Sequence, residues 1–570
     1  MTARRNPATL ALAGAMLASG VLTVELGSRL SFLLDDWVFI LNRRGLNLDA
    51  FLQPDNEHFV AGPVVVWKLL LATFGIGSTV PFRIVSTAMF LLGVWLMFVW
   101  IRRRIGQWPA LFAAIPVLFL GAAFDDFLWF ASITFLGSMV GGLGMLVALD
   151  RRDKVGDRLA CIWLVVSLLF SSLWLAFAIG AFLDIALRRR DRPWRGRAYV
   201  VLVPVVIYAV WWLGWGHTAE SALSIHNLAT TPAFVLDSIA AAIAAVLGLA
   251  IPVAGITAPN GLDWGRPLMV LFIVLAAWRM NKLDRIPRSL WVVLTVALAF
   301  WVLGGLDVKP GREASDSRYQ YTSVVLLLLF VAELLRGIRL DRRLLAPAIV
   351  VTGAAVLANV VFLHEAYDSY LATSHLERAA LGAVEVARDT VEPNLVLGED
   401  IADTGYVAVE AGPYLSARDA FGSPAYNPGQ LSAASGPARL AADKVLGAAL
   451  RIELTAVAGT PATALPAPRA LAPAVAMPDR GPGCVRVETP AAQPATIQLP
   501  PGGAFLRAPA GSEVEVHLRR FASAFPVDAG ALTPGGWSSL AIPTDRSSRP
   551  WQAQLTGSGA IVACGHSHGT

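Results

Sequence analysis

Two adjacent carboxylates, Asp35 and Asp36, stand in the run LLDDWVFI at residues 33–40. They follow the first apolar segment of the chain, and leucines and a Trp-Val-Phe-Ile run flank them. An acid near lipid is costly unless it is partnered or used. One carboxylate of such a pair can cap the short helix that residues 37–44 suggest. A carboxylate at the water–lipid boundary can also take a proton from an acceptor hydroxyl, and a second acid nearby raises its pKa toward that task. Capping accounts readily for one acid and less readily for two.

Other candidates share the same kind of segment. Asp55-Asn56-Glu57-His58 adds two acids and an imidazole, and Asp125-Asp126 in GAAFDDFLWF opens a later apolar run. Lys309 and Arg312 lie in DVKPGREASDSR, which ends on Arg318 at the start of another apolar run. A guanidinium gives paired donors to phosphate oxygens. His217, Glu220 and His226 occur together, but their spacing matches no compact metal motif. There is no nucleotide-binding fingerprint.

The elements that must hold these residues are membrane helices. Of 570 residues, 55% are hydrophobic and 15% charged, and mean hydropathy is +0.58. A soluble domain carries about 25% charged residues. The composition is that of a polytopic membrane protein. The membrane-like character ends near Leu363, so residues 1–363 are expected to form a transmembrane domain and 364–570 a soluble one. The net charge of +5 and pI near 9.2 do not point to nucleic acid, because the basic residues cluster in short loops where they report topology. The N-terminus reads as an uncleaved first helix, since many spans follow.

Apolar runs cover residues 10–25, 80–101, 109–123, 130–149, a hairpin of two short helices in 159–187, 199–215, 267–278, 291–304, 319–335 and 346–362. That makes about eleven spans, with the Ala-rich stretch 239–256 lying flat or re-entering. The positive-inside pattern then puts segments 27–79, 216–236 and 305–318, and the whole C-terminal domain, on the outer face. Cys484 and Cys564 are expected to pair in an oxidising compartment, which agrees with that placement. Cys161 reads as a small buried hydrophobe.

After a helical stretch at 375–394, short alternating runs such as CVRVETP, ATIQLPP and EVEVHLRRF predict a small β-sandwich or jelly-roll. Residues 455–482, rich in Ala and Pro, read as a long loop. Trp537 and Trp551 are candidates for stacking on sugars.

The order of parts in the first long loop resembles a known family. It reads LLDDW, then NEHF, then GPVVVWKLLLATFGIG, then VPFRIVSTAMFLLGVWL over residues 33–100, and Arg318-Tyr319 later opens a helix. This is similar to the GT-C glycosyltransferases, which include protein O-mannosyltransferases and aminoarabinose transferases. The usual Pro-Pro-Leu is Ala61-Gly62-Pro63 here, and the stretch before Arg279 matches no part of the pattern. The resemblance implies an enzyme that moves a sugar from a polyprenyl-phosphate carrier to an extracytoplasmic glycan, lipid or protein. It implies Asp35 as general base with Asp36 as alternate or partner. Glu57 and His58 would orient acceptor or base. Arg318 would contact the lipid phosphate, assisted by Lys309 and Arg312. No residues are assigned to a metal, although a divalent ion is compatible with the chemistry. The expected partners are membrane lipid, the lipid-linked donor and the acceptor, in a multi-pass cell-membrane protein. The competing expectation is a non-catalytic envelope protein, flippase-like or a scaffold, with an outer glycan-binding module.

Overall fold

In lipid a backbone must bond to itself, so long runs of Leu, Val, Ala and Phe close into helices. The structure is a computed structural model and describes residues 7–190, 192–250, 261–338, 343, 345–397, 409–463, 465–479, 483–488 and 493–566. The chain divides into two compact units, Met1–Tyr370 and Leu371–Thr570.

Among the described residues, six helices are long and apolar enough to cross a membrane. They are Pro7–Ser28, Val80–Ile105, Phe130–Leu149, Ile225–Val246, Arg288–Leu306 and Leu345–Val386. Gln107–Leu118 and Gly121–Leu128, bent by 51° at their break, together make a seventh. A helix also stands at each remaining expected span: Lys154–Phe170, Trp174–Leu187, Tyr199–Gly214, Leu262–Asn281 and Ser317–Leu334. These are shorter or more charged.

Two expectations need correction. Segment 216–236 is not a loop throughout, because a 22-residue helix, Ile225–Val246, begins inside it. Ser224 caps that helix by accepting the Asn227 N–H, and the Thr230 and Thr231 hydroxyls donate back to helix carbonyls, so its polar residues are satisfied without a loop. Of the stretch 239–256, expected to lie flat or re-enter, residues 239–246 complete that same helix, and 251–256 are outside the described residues. The expected span at 346–362 and the soluble helix at 375–394 are likewise joined in one 42-residue helix, Leu345–Val386. No Gly or Pro interrupts residues 354–381.

Close packing relies on small residues. A Cβ at Gly141 would come within 2.5 Å of the Ser167 backbone nitrogen, so Phe130–Leu149 and Lys154–Phe170 meet backbone to backbone there. Buried Arg104 binds Asp150 at 3.0 Å and Glu333 at 2.6 Å, tying three helices through one guanidinium.

Among the described residues the second unit carries a two-stranded pair, Val396–Leu397 with Val409–Glu410, and two larger antiparallel sheets. The six-stranded sheet runs, in spatial order, Leu454–Val457, Trp537–Ala541, Gly503–Arg507, Ile561–Gly565, Cys484–Glu488 and Val475–Pro478. The five-stranded sheet runs Val527–Ala531, Val514–Arg519, Gln552–Gly557, Ala495–Gln498 and Arg469–Leu471. Val514, Val516 and Leu518 alternate into the interior. The stretch 455–482, expected as a loop, contributes three of these strands, and all three are sheet edges. Edges tolerate short strands and proline, which is why an Ala/Pro-rich sequence can serve there. Trp551 is only 2% exposed, with the Arg520 guanidinium 5.2 Å from its ring, so it offers no stacking face. Trp537 is half-buried beside Arg507.

Cys484 and Cys564 form a disulfide between paired positions of neighbouring strands. The bond closes a loop with a sequence separation of 80 residues. Removing it by Cys484→Ser with Cys564→Ser should cost about 4 kcal/mol, by loop-closure entropy. Thermal unfolding with and without reductant checks this: reductant should lower the midpoint of the natural protein and leave the double variant unchanged.

Candidate active site

The two aspartates of the opening pair do different work. Leu34 adopts a positive φ of 50°, which turns the chain into the short helix Asp36–Asn42. Asp35 occupies the N-cap position, yet its side chain caps nothing. Asp36 is fully buried, and its carboxylate accepts the N–H groups of Leu33 at 3.0 Å and Ala131 at 2.9 Å. It therefore staples the turn to the start of the Phe130–Leu149 helix. Burial pushes Asp36 up to about 7, and the Arg83 charge opposes that rise. Arg83 is itself buried and donates to the Ser31 carbonyl at 3.2 Å. Gly27 makes room for it, since a Cβ there would lie 2.8 Å from Arg83 Cδ.

Asp35 instead lines a cavity of about 530 Å³. The same cavity receives Asp55, Glu57, His58, Asp307, Arg312 and Arg318. A tight turn presents the middle group: Asp55 and His58 exchange backbone hydrogen bonds at 3.1 and 2.9 Å, with Asn56 at φ 50°. Arg43 braces it by donating to the carbonyls of Gln53 and Pro54. The opposing walls are apolar and aromatic, with Trp129, Phe135, Leu173, Tyr208, Trp211 and Phe300.

The electrostatics follow from burial and pairing. Burial raises Asp35, while Arg318 and Arg312 pull it back down. Burial, with the Asp35 charge adding to it, pushes Asp55 up to about 6. Burial lowers His58, which favours its neutral ring. Burial alone would raise Glu57, but His58, Asp307 and Arg312 together hold it at about 2. Arg312 Nη1 lies 2.7 Å from Glu57 Oε1 and 2.5 Å from Asp307 Oδ2. Lys309 Nζ is 3.6 Å from Glu57 Oε2, and His58 Nε2 is 3.6 Å from Glu57 Oε1.

Arg318 differs from Arg312. Its Nη2 reaches the Gly311 carbonyl at 3.3 Å, its buried Nε has no hydrogen-bond partner, and among the described residues no carboxylate lies in ion-pairing distance.

Of the residues singled out from the sequence, Asp35, Glu57, His58, Arg312 and Arg318 thus converge on one cavity. Asp36 does not line it, and Lys309 faces Glu57 from outside the lining. Asp125 accepts a hydrogen bond from the Tyr370 hydroxyl, and its N–H donates to Ser317 Oγ; neither Asp125 nor Asp126 lines the cavity. His217 and Glu220 do, His226 does not, and among the described residues no group of three or more His, Cys, Asp or Glu is placed to hold a metal. Asp307 was not singled out. Its signal was an acid just past the C-terminus of Arg288–Leu306, where the helix dipole disfavours an anion.

No protein-family model matches the chain, and no curated protein matches it. Among solved structures, the chain is similar to ArnT from Cupriavidus metallidurans bound to undecaprenyl phosphate, with 13% identity over 72% of this chain and 84% of that one, at a TM-score of 0.44. It is also similar to the arabinosyltransferase EmbB from Mycobacterium smegmatis, with 12% identity over 99% of this chain and 65% of that one, at a TM-score of 0.36. At these scores neither likeness carries weight for activity or fold.

Proposed function

We propose that this chain is an integral-membrane glycosyltransferase that moves a sugar from a polyprenyl-phosphate carrier to an acceptor outside the cytoplasm. One observation carries the reading: Asp35, free of any capping role, and Arg318, which among the described residues makes no ion pair at contact distance and has a buried Nε without a hydrogen-bond partner, line the same largely apolar cavity. The order of motifs in the first long loop supports it independently.

The chemistry uses both ends of that cavity. The acceptor hydroxyl attacks the anomeric carbon of the sugar and gives its proton to the Asp35 carboxylate. The bond from that carbon to the phosphate oxygen breaks, and the electron pair leaves with the lipid phosphate. Arg318 meets the growing negative charge with paired donors. Apolar walls keep water out and strengthen both interactions. His58, held neutral, and Glu57 line the acceptor side. The Cys484–Cys564 disulfide supports an extracytoplasmic second unit.

The test uses the full chain in membrane vesicles with radiolabelled polyprenyl-phosphate sugars of several kinds. Label should reach an envelope acceptor with at least one donor, and Arg318→Gln should suppress it. Transfer that persists in Arg318→Gln and Asp35→Asn alike would sink the proposal and favour the scaffold. Orientation is checked with Ser221→Cys, which a membrane-impermeant thiol reagent should label from the outside.

The pH profile is a further expected outcome. Only ionised Asp35 is a base, and its pKa is raised by burial. Transfer at saturating donor should therefore rise with pH along a limb above 3.8, the ordinary aspartate value. Arg318→Gln removes a cation that favours the carboxylate, so it should move that limb to higher pH.

A further inference from the structure

The cavity contains two guanidiniums in unlike situations. Arg312 is pinned between the carboxylates of Glu57 and Asp307 at 2.7 and 2.5 Å, whereas Arg318 has a carbonyl contact and an unpartnered buried Nε. We propose that Asp307 is a positioning residue: it shares Arg312 with Glu57, holds that guanidinium on the carboxylate side of the cavity, and leaves Arg318 as the cation that meets phosphate. The inference deepens the transferase reading and rests on it.

Charge accounting supports this division. Glu57 lies within ion-pairing distance of both Arg312 and Lys309, and Asp307 within that distance of Arg312, so these two acids are matched by two bases. A phosphate recruiting Arg312 would have to displace carboxylates already at hydrogen-bond distance, which takes the nearest cation from two half-buried anions. Arg318 has no carboxylate at hydrogen-bond distance among the described residues to displace, and acts on Asp35 only through its charge at longer range. Asp307 also stands where a helix C-terminus disfavours an anion, so without Arg312 it would have no reason to stay charged there. Burial and the Glu57 carboxylate push it up to about 6.

Asp307 has a second attachment. Its Oδ1 accepts the Ala222 N–H at 3.3 Å, and the neighbouring Glu220, Ser221 and Leu223 line the cavity. Asn227 Nδ2 reinforces the joint by donating to the carbonyls of Ala222, Leu306 and Val308. One carboxylate thus sets both the guanidinium and a stretch of cavity wall.

The experiment measures equilibrium binding of decaprenyl phosphate to the full chain in nanodiscs, with the thermal unfolding midpoint as a folding control. Arg318→Gln should weaken binding at least tenfold, and Arg312→Gln less than threefold. Asp307→Asn should tighten binding severalfold, because Arg312, then held by Glu57 alone, becomes more available to phosphate. That gain should vanish in Asp307→Asn with Arg312→Gln, and Asp307→Glu should restore the natural affinity. A purely structural role for Asp307 would not produce a gain. The inference is overturned if Arg312→Gln weakens binding as much as Arg318→Gln, a comparison that stands even if Asp307→Asn does not fold. Natural protein that binds no decaprenyl phosphate overturns the transferase reading, and this inference with it.

Discussion

Asp35→Asn will lower sugar transfer by roughly 10²–10⁴-fold, the usual worth of a positioned general base. The amide has nearly the same shape and cannot take the proton. The fold should be indifferent to the change, since the Asp35 side chain caps no helix and faces the cavity rather than the core. Decaprenyl phosphate should still bind, because Arg318 keeps its free donors. The decisive measurement pairs turnover with binding and unfolding on the same preparation. Lost transfer together with a lowered unfolding midpoint would mean that Asp35 is a structural acid after all.

The neighbouring residue should behave in the opposite way. Asp36→Ala will destabilise the first unit by about 3–5 kcal/mol, the usual cost of breaking a buried charged interaction. It strands two backbone N–H groups, those of Leu33 and Ala131, in the interior. Each such loss costs about 1–3 kcal/mol on its own. It also removes the carboxylate that answers the buried Arg83 charge. Asp36→Asn keeps an acceptor oxygen and should lose less. Unfolding of the detergent-solubilised protein reads the difference, and an unchanged midpoint in Asp36→Ala would refute the staple. Together the two substitutions separate adjacent carboxylates that look equivalent in LLDDW.

Much of the architecture was legible in the chain. Each apolar run long enough for a span became a helix, because lipid leaves a backbone no other way to satisfy its polar groups. The alternating runs in the second unit became strands for the same kind of local reason, and the cysteines paired across two of them. Where the reading failed, the cause was non-local. Strands within residues 455–482 exist because a sheet edge was there to receive them. The start of the helix from Ile225, capped locally by Ser224, is also held by Asn227, which finds partners at Leu306 and Val308, some eighty positions away.

What sequence alone decided, then, is the kind of molecule and the list of chemically able residues, because hydropathy and charge act through local composition. What only the tertiary structure decided is which of them serve the cavity. Asp36 turned inward to the Ala131 amide, Asp307 came across to Glu57 through Arg312, and Arg318 kept, among the described residues, no carboxylate at ion-pairing distance. Those choices depend on contacts between residues up to 255 positions apart, and no local pattern can encode where such partners meet.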